Sequence, residues 1–260
     1  AIEGVPLAYS QIGYVAHLFR EFPPLSSVGD VWQGVISRDD DRYYRFWWEV
    51  EPNSAKRPWV PLHKGGDFAR FYYDADLVID WSERAQSEFH RLRDVSIYFQ
   101  RGLTWPRRTA KGLNVRRLPP GCVFSDKGPA LLLSENDMES FALGLLNSLA
   151  FEYIFRCRTS FSWEIGVMKA MPLPGVGTFR AATIGRQADS IFDSKSTWDE
   201  GNEVSTRFHS PWLVRNDGIH PDQSIPFRLA ELAAREVREE ARIRLTYSEL
   251  NDEVFHLYGL

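Results

Sequence analysis

Along most of the first 130 residues the apolar positions come in short runs separated by turn residues, whereas two later stretches carry them at helical spacing. Residues 5–21 read as an extended entry followed by a short amphipathic helix. VGDVWQGVI (28–36) predicts a strand, Ser37 to Asp41 a turn, and YYRFWWEV (43–50) a second, aromatic-rich strand. Trp47 and Trp48, at consecutive strand positions, would face opposite sides, one of them the core. Gly65-Gly66 marks a turn before a third strand-like run, FARFYY (68–73), and LVIDW (77–81) is a short strand. Residues 82–97 predict a helix, 101–127 a loop-rich passage, and ALLL (130–133) a buried strand.

The clearest helix runs from about Glu135 to Cys157. Ser134 with Asp137 gives a capping-box start, and Met138, Phe141, Leu145, Leu149 and Tyr153 share one stripe. Asn147 and Ser148 inside it are expected to bond to neighbouring backbone. SFSWEIGVMKAMPLP (160–174) reads as strand-turn-strand and 178–224 as irregular. Residues 225–245 predict a helix, followed by a second short one ending at Tyr258 against a Gly259 C-cap. The sum is a mixed α/β fold: a strand-rich domain over 1–177 with a central amphipathic helix, an irregular connection over 178–224, and a helical C-terminal segment over 225–260.

Composition sharpens this. A hydrophobic content of 43% and an aromatic content of 14% support a real core in a 260-residue chain. The net charge is -4, yet residues 1–130 hold 18 Lys and Arg against 16 Asp and Glu, while the remainder holds 13 against 19. The basic surface therefore belongs to the first half. It is densest from Arg101 to Arg117, which carries Arg101, Arg107, Arg108, Lys111, Arg116 and Arg117, no acid, and Trp105. Clustered guanidiniums beside an aromatic side chain and flexible backbone suit a polyanion, nucleic acid first; a solvated basic loop is the bland alternative.

Other chemistry is thin. Cys122 and Cys157 form no Cys-x-x-Cys or Cys/His pattern, so no structural zinc is expected, and two lone thiols fit a reducing cytoplasm. No apolar run reaches the length of a membrane span, so no membrane partner is expected. The sequence opens at Ala1 without a signal-peptide pattern, which suggests a piece of a longer protein or a processed start. There is no Walker-type phosphate loop, no Gly-x-Ser-x-Gly elbow and no His-Glu-x-x-His. The GVG at 175–177 follows PLP and reads as a plain turn. Asp39-Asp40-Asp41 and the Asp74/Asp76 pair could serve a metal-dependent nuclease, but consecutive aspartates fit a turn better than a two-metal site. No catalytic residue and no metal ligand is expected.

In order, QGVISRDDDRYYRFWWEV (33–50), WVPLHKGGDFARFYY (59–73), GLTWPRR (102–108), LPPGCVFSDKGPALLL (118–133), GLLNSLAFEYIF (144–155), FSWEIGVMKAMPLP (161–174) and LNDEVFHLYGL (250–260) resemble a family. The chain is similar to the C-terminal, TaqI-like target-recognition region of large adenine-specific DNA methyltransferases of the Pgl/BREX phage-defence class and related type II restriction-modification enzymes. The resemblance covers roughly residue 5 to the end and is weakest over 178–224. It implies double-stranded DNA as partner. It also implies S-adenosylmethionine for a catalytic half, in the same polypeptide or a separate subunit, with other phage-defence proteins as further partners. The family's Asn-Pro-Pro-Tyr-type motif and glycine-rich cofactor loop do not occur here, so no cofactor is expected in this chain.

The resemblance places Gln33, Arg38, Arg42, Lys64 and Arg70 near DNA, with Gly65 and Gly66 letting backbone amides approach a phosphate. Arg107, Arg108, Lys111, Arg116, Arg117 and Lys127 complete the expected phosphate grip, any arginine also being suited to guanine. Trp105 would wedge against a sugar or base, or else anchor its loop. Two other readings stay open: a protein-interaction domain docking through the acidic helical tail, and a nuclease using the aspartates near Arg38.

Overall fold

The computed structural model describes residues 12–51, 58–159, 162–215 and 223–260. The chain enters through Ile12–Glu21 (α1), which buries Val15 and Leu18. Gly29–Trp32 (β1) follows, then the single turn Asp40–Tyr43 (α2), capped by Asp39, whose carboxylate accepts from the Arg42 amide. Next come Tyr44–Phe46 (β2), Trp59–His63 (β3), Leu77–Asp80 (β4) and the Ser82-capped helix Glu83–Glu88 (α3). The loop-rich passage holds three short strands, Gly102–Thr104 (β5), Arg116–Leu118 (β6) and Val123–Phe124 (β7), before Ala130–Leu133 (β8).

These strands form two four-stranded sheets. One runs β1-β8-β5-β6 and is antiparallel throughout; the other runs β2-β4-β3-β7, parallel only between β3 and β7. Strand β8 explains how they share a core. Successive side chains of a strand point to opposite faces. Leu131 accordingly enters one apolar cluster, with Val31, Leu103 and the helices, while Ala130 and Leu132 enter the other, with Leu62, Ile79 and Phe124. A strand covered on both faces has no polar position to fill, hence ALLL.

The helical layer is Glu139–Asn147 (α4), Leu149–Arg156 (α5), Ile165–Ala170 (α6), Phe179–Asp199 (α7) and Ile225–Tyr258 (α8). The predicted 135–157 helix is two helices. Ser148 (ψ 155°) breaks it, its hydroxyl donating to the Leu145 carbonyl (2.7 Å) and accepting from the Phe151 amide (3.2 Å). Asn147 takes backbone partners on both sides, accepting from the Val115 amide (2.9 Å) and donating to the Val115 carbonyl (2.8 Å). The Ser134 capping box is absent: a 3-10 turn at Asn136–Met138 leads in, without a side-chain cap.

The stretch 178–224, expected to be irregular, contains the 21-residue α7, capped by Thr178. Its buried face is Ala181, Ile184, Gly185, Ala188 and Ile191, a helical stripe built partly from small residues. Those residues let α7 lie close on α4: a Cβ at Gly144 would come within 2.5 Å of Ile184. Residues 162–174 hold α6 rather than two strands, and the first two residues of the predicted strand-turn-strand lie outside the described residues. FARFYY is no strand either, because Phe71 sits at φ 71°. Trp47 and Trp48 lie in a 3-10 turn just beyond β2, Trp47 half-buried and Trp48 exposed and stacked on Phe46. The tail is one 34-residue helix, closed by Gly259 in the left-handed region (φ 71°). No helix among the described residues is long and apolar enough to cross a membrane.

Candidate nucleic-acid interface

Three segments far apart in sequence meet at one cleft of about 380 Å³: Lys64 to Gly66, Pro106 to Arg108, and Asp126 with Lys127. The fold brings them together by simple means. Parallel pairing of β3 with β7 sets the ends of those strands side by side, so that the residues just past each, 64–66 and 125–127, share a rim. The Arg107 amide then donates to the Lys127 carbonyl (2.9 Å), fastening the third segment.

Gly65 (φ 105°) and Gly66 (φ 69°) both occupy backbone that favours glycine, and a Cβ on Gly65 would meet the Lys127 carbonyl at 2.9 Å. Neither amide has a backbone partner among the described residues; Gly66 is exposed at the cleft, whereas the Gly65 nitrogen packs against the buried Gly128. Arg116 holds this loop from beneath. It is almost fully buried, donates to the carbonyls of Gly65 (2.5 Å) and Asp67 (2.8 Å), and lies over the Tyr73 ring (4.5 Å). Burial draws its pKa down to about 10, still well above neutrality.

The cations of the cleft are partly matched. Lys64 (2.5 Å) and Lys127 (3.5 Å) both reach Asp40 Oδ2, while Ser37 donates to Oδ1 (2.6 Å). Burial alone would raise the Asp40 carboxyl, but the hydrogen bonds from Lys64 and Ser37 and the two lysine charges outweigh it, and its pKa lies below the usual value. Arg107 pairs with Glu164 (2.8 Å). The Ser162 hydroxyl (2.6 Å) and then Arg107 hold that carboxyl low against the effect of burial. Arg108 is exposed and has no side-chain hydrogen bond among the described residues; Lys111, also exposed, does not line the cleft.

A second cleft, of about 410 Å³, shares Arg107 with the first and is lined by Trp32, Gln33, Arg93, Glu164 and Lys169 among others. Gln33 therefore stands beside the basic cleft rather than in it. The glycine after it is required: a Cβ at Gly34 would sit 1.8 Å from the Phe124 carbonyl oxygen.

Several expected contacts lie elsewhere. Trp105 is fully buried, its indole N–H on the Trp163 carbonyl (3.3 Å), so it is the loop anchor and has no exposed edge with which to wedge DNA. Arg116 is enclosed under the glycine loop. Arg117 pairs with Glu139 and Asp189 and covers Phe192; Arg70 pairs with Glu152 (2.9 Å) and donates to Tyr247 (2.9 Å). Arg42 pairs with Glu88 on a separate surface pocket, and Arg38, exposed at φ 76°, bonds to His90. Arg91, Arg93, Lys169 and Glu164 were not expected at the site. The first two sit in HRLRD, which reads as a charged helix face, and the other two on or beside α6, hidden by the strand reading of 160–174.

The aspartates near Arg38 are structural, Asp39 as a helix cap and Asp40 as the lysine partner; Asp74 accepts from the Thr206 amide (2.6 Å). No group of three His, Cys, Asp or Glu among the described residues could hold a metal ion. Burial raises the Cys122 thiol to about 12 and also raises Cys157.

His63, the last residue of β3 before Lys64, is buried with Nε2 unpartnered among the described residues. Burial, aided by the Arg116 charge, pushes its pKa down from 6.5 to about 3. As pH falls below 6.5 the unfolded chain takes up this proton and the folded chain does not. Stability is therefore full above that value and is lost as pH falls, by up to about 1.4 kcal/mol per unit from this one group. Denaturant titrations between pH 7 and 4 should show that slope, and His63→Leu should flatten it.

No protein-family model matches the chain. Its fold is that of part of a restriction-modification enzyme: 91% of the chain superposes on 33% of the Type IIL restriction-modification enzyme MmeI, solved in complex with DNA, at a TM-score of 0.58 and 14% identity. Among curated proteins it is similar to the adenine-specific methyltransferase BrxX of Escherichia coli O9:H4 (strain HS), 25% identical across 84% of this chain and 18% of that protein. It is likewise similar to the adenine-specific methyltransferase PglX of Lacticaseibacillus casei (strain Zhang), 23% identical across 100% of this chain and 23% of that protein. The resemblance read from the ordered motifs is thus borne out, and the chain spans about a fifth of the length of these relatives.

Proposed function

We propose that this chain is the DNA site-recognition portion of an adenine-specific, S-adenosylmethionine-dependent DNA methyltransferase acting in restriction-modification or phage defence. The observation that carries this reading is the meeting of KGG, PRR and SDK at one cleft. Lys64, Arg107, Arg108 and Lys127 converge there around the Gly65-Gly66 turn, an arrangement suited to backbone phosphate. The DNA-bound structural neighbour and the two methyltransferase relatives favour DNA as the source of that phosphate.

A methyltransferase must extrude its target base, and a recognition portion holds the duplex while that happens. Phosphates would seat against Lys64, Lys127 and Arg108, fixing register, while neighbouring groups read base edges. The residues of both clefts do not fit S-adenosylmethionine, whose sulfonium adds positive charge to walls already rich in lysine and arginine. The cofactor and the methyl transfer are therefore assigned to the rest of a longer protein. Both clefts fall within residues 1–177, the part we assign to target recognition, with 225–260 as a packing segment.

The test is duplex-DNA binding at two salt concentrations, with and without S-adenosylmethionine. Steeply salt-sensitive binding that ignores the cofactor is expected; no binding at low salt would overturn the proposal. One variant should move the other way. Asp40→Asn frees Lys64 and Lys127 from a fixed carboxylate, and duplex affinity should rise by about two- to tenfold at low salt, as a phosphate no longer competes with that pair.

A further inference from the structure

The second cleft differs from the first in kind. Its lining includes the apolar side chains Val31, Trp32 and Ile165, and its polar groups are directional: the Gln33 carboxamide and the Glu164 carboxylate beside Arg93, Arg107 and Lys169. A phosphate seat has no use for an apolar lining, whereas a base edge offers apolar surface and oriented donors and acceptors together. Arg107 lines both clefts, so the second lies directly beside a duplex seated by its phosphates in the first.

Gln33 is held there by one directed hydrogen bond. Arg91 donates from Nη1 to Gln33 Oε1 (2.7 Å). A guanidinium can only donate, so this bond fixes which end of the amide faces Arg91. Arg91 is itself pinned by two backbone hydrogen bonds with Ile36, Ile36 N to Arg91 O (3.0 Å) and Arg91 N to Ile36 O (3.3 Å). Oriented in this way, the amide keeps both Nε2 hydrogens and one Oε1 lone pair. Those are the groups that pair with adenine, Nε2 donating to N7 and Oε1 accepting from N6.

We infer that the cleft beside Arg107 is the base-reading half of the site and that Gln33, oriented by the positioning residue Arg91, specifies an adenine in the recognised sequence. This adenine belongs to recognition and is distinct from the base to be methylated. The inference rests on the DNA-recognition reading and adds to it a particular reader and a particular base.

The experiment is selection of bound duplexes from a randomised pool by the full 260-residue chain, followed by sequencing. The unaltered chain should enrich a consensus with adenine at one position. Gln33→Ala should lower that preference by about ten- to a hundredfold there and nowhere else. Gln33→Glu is the sharper variant. The new carboxylate keeps its tie to Arg91 but can only accept, so the preference should move from adenine to cytosine, whose N4 amine donates. Arg91→Ala should broaden the same position, and Arg91→Lys should restore it in part. A purely structural role for either residue would weaken binding without changing the base chosen. If the Gln33 and Arg91 variants enrich the same consensus as the unaltered chain, this inference fails while DNA recognition stands. If the unaltered chain enriches no sequence, both fail.

Discussion

Replacing Arg107 and Arg108 together with alanine should weaken duplex binding at least about tenfold and flatten its salt dependence by roughly two units of slope, one for each phosphate left without its arginine. The two arginines should not contribute equally. Arg108 has no side-chain hydrogen bond among the described residues and acts on Glu164 only through its charge, so its removal chiefly subtracts that charge. Arg107 is paired with Glu164, and its loss leaves a carboxylate facing the approaching polyanion. Arg107→Ala should therefore cost more than Arg108→Ala. Adding Glu164→Gln to Arg107→Ala should recover part of the loss, a non-additivity expected of residues that touch. Affinities measured across a salt series, with circular dichroism to show that each variant is folded, would decide it. Unchanged affinity in the Arg107/Arg108 double variant would remove the loop from the DNA grip.

The largest effect on stability should come from Trp105, and it separates the two roles open to that residue from sequence. The side chain is wholly enclosed and its N–H is satisfied by the Trp163 carbonyl. Trp105→Ala should cost about 3–5 kcal/mol, the usual range for emptying a buried aromatic site. Trp105→Phe keeps most of the ring and gives up one hydrogen bond, so it should cost far less while leaving the DNA affinity of the folded protein within about twofold. A ring acting as a wedge would behave in the opposite way, with little change in stability and a large change in binding. Urea unfolding of both variants beside their duplex affinities distinguishes these outcomes.

What could be read from the sequence follows from which forces act locally. The ALLL run announces β8 because a strand buried on two faces has no alternation to lose. Gly259 announces the end of α8 because its left-handed conformation is a local requirement. Helix α7 hid because its buried stripe depends on Ala181, Gly185 and Ala188, residues suited to close approach to α4 and weak as hydrophobic markers. The break at Ser148 hid because a serine within an apolar helical pattern reads as tolerated until Asn147 is seen bonded across to Val115. At the site, composition pointed to the loop that lines the first cleft but could not rank its cations. Arg107 and Arg116 differ in sequence by nothing that reveals one at the rim of a cleft and the other beneath it. That difference arises from β6, which carries Arg116 inward under the glycine loop.

The C-terminal helix crosses the molecule to close it. Tyr258 donates to the Pro172 carbonyl (2.9 Å) and receives the Tyr14 hydroxyl on its own carbonyl, while Asn251 caps the Leu149 amide (2.7 Å). Leu250, Val254 and Tyr258 complete the same apolar cluster that carries Leu103 and Leu131. Specificity in such a protein is therefore not portable as a linear cassette. A graft of the strand-bearing segment into another host would arrive with one wall of its interior missing unless the C-terminal stretch from Leu250 onward travelled with it or the host supplied a matching helix. The exchangeable unit is discontinuous, and its seams are best placed outside both ends of that closure.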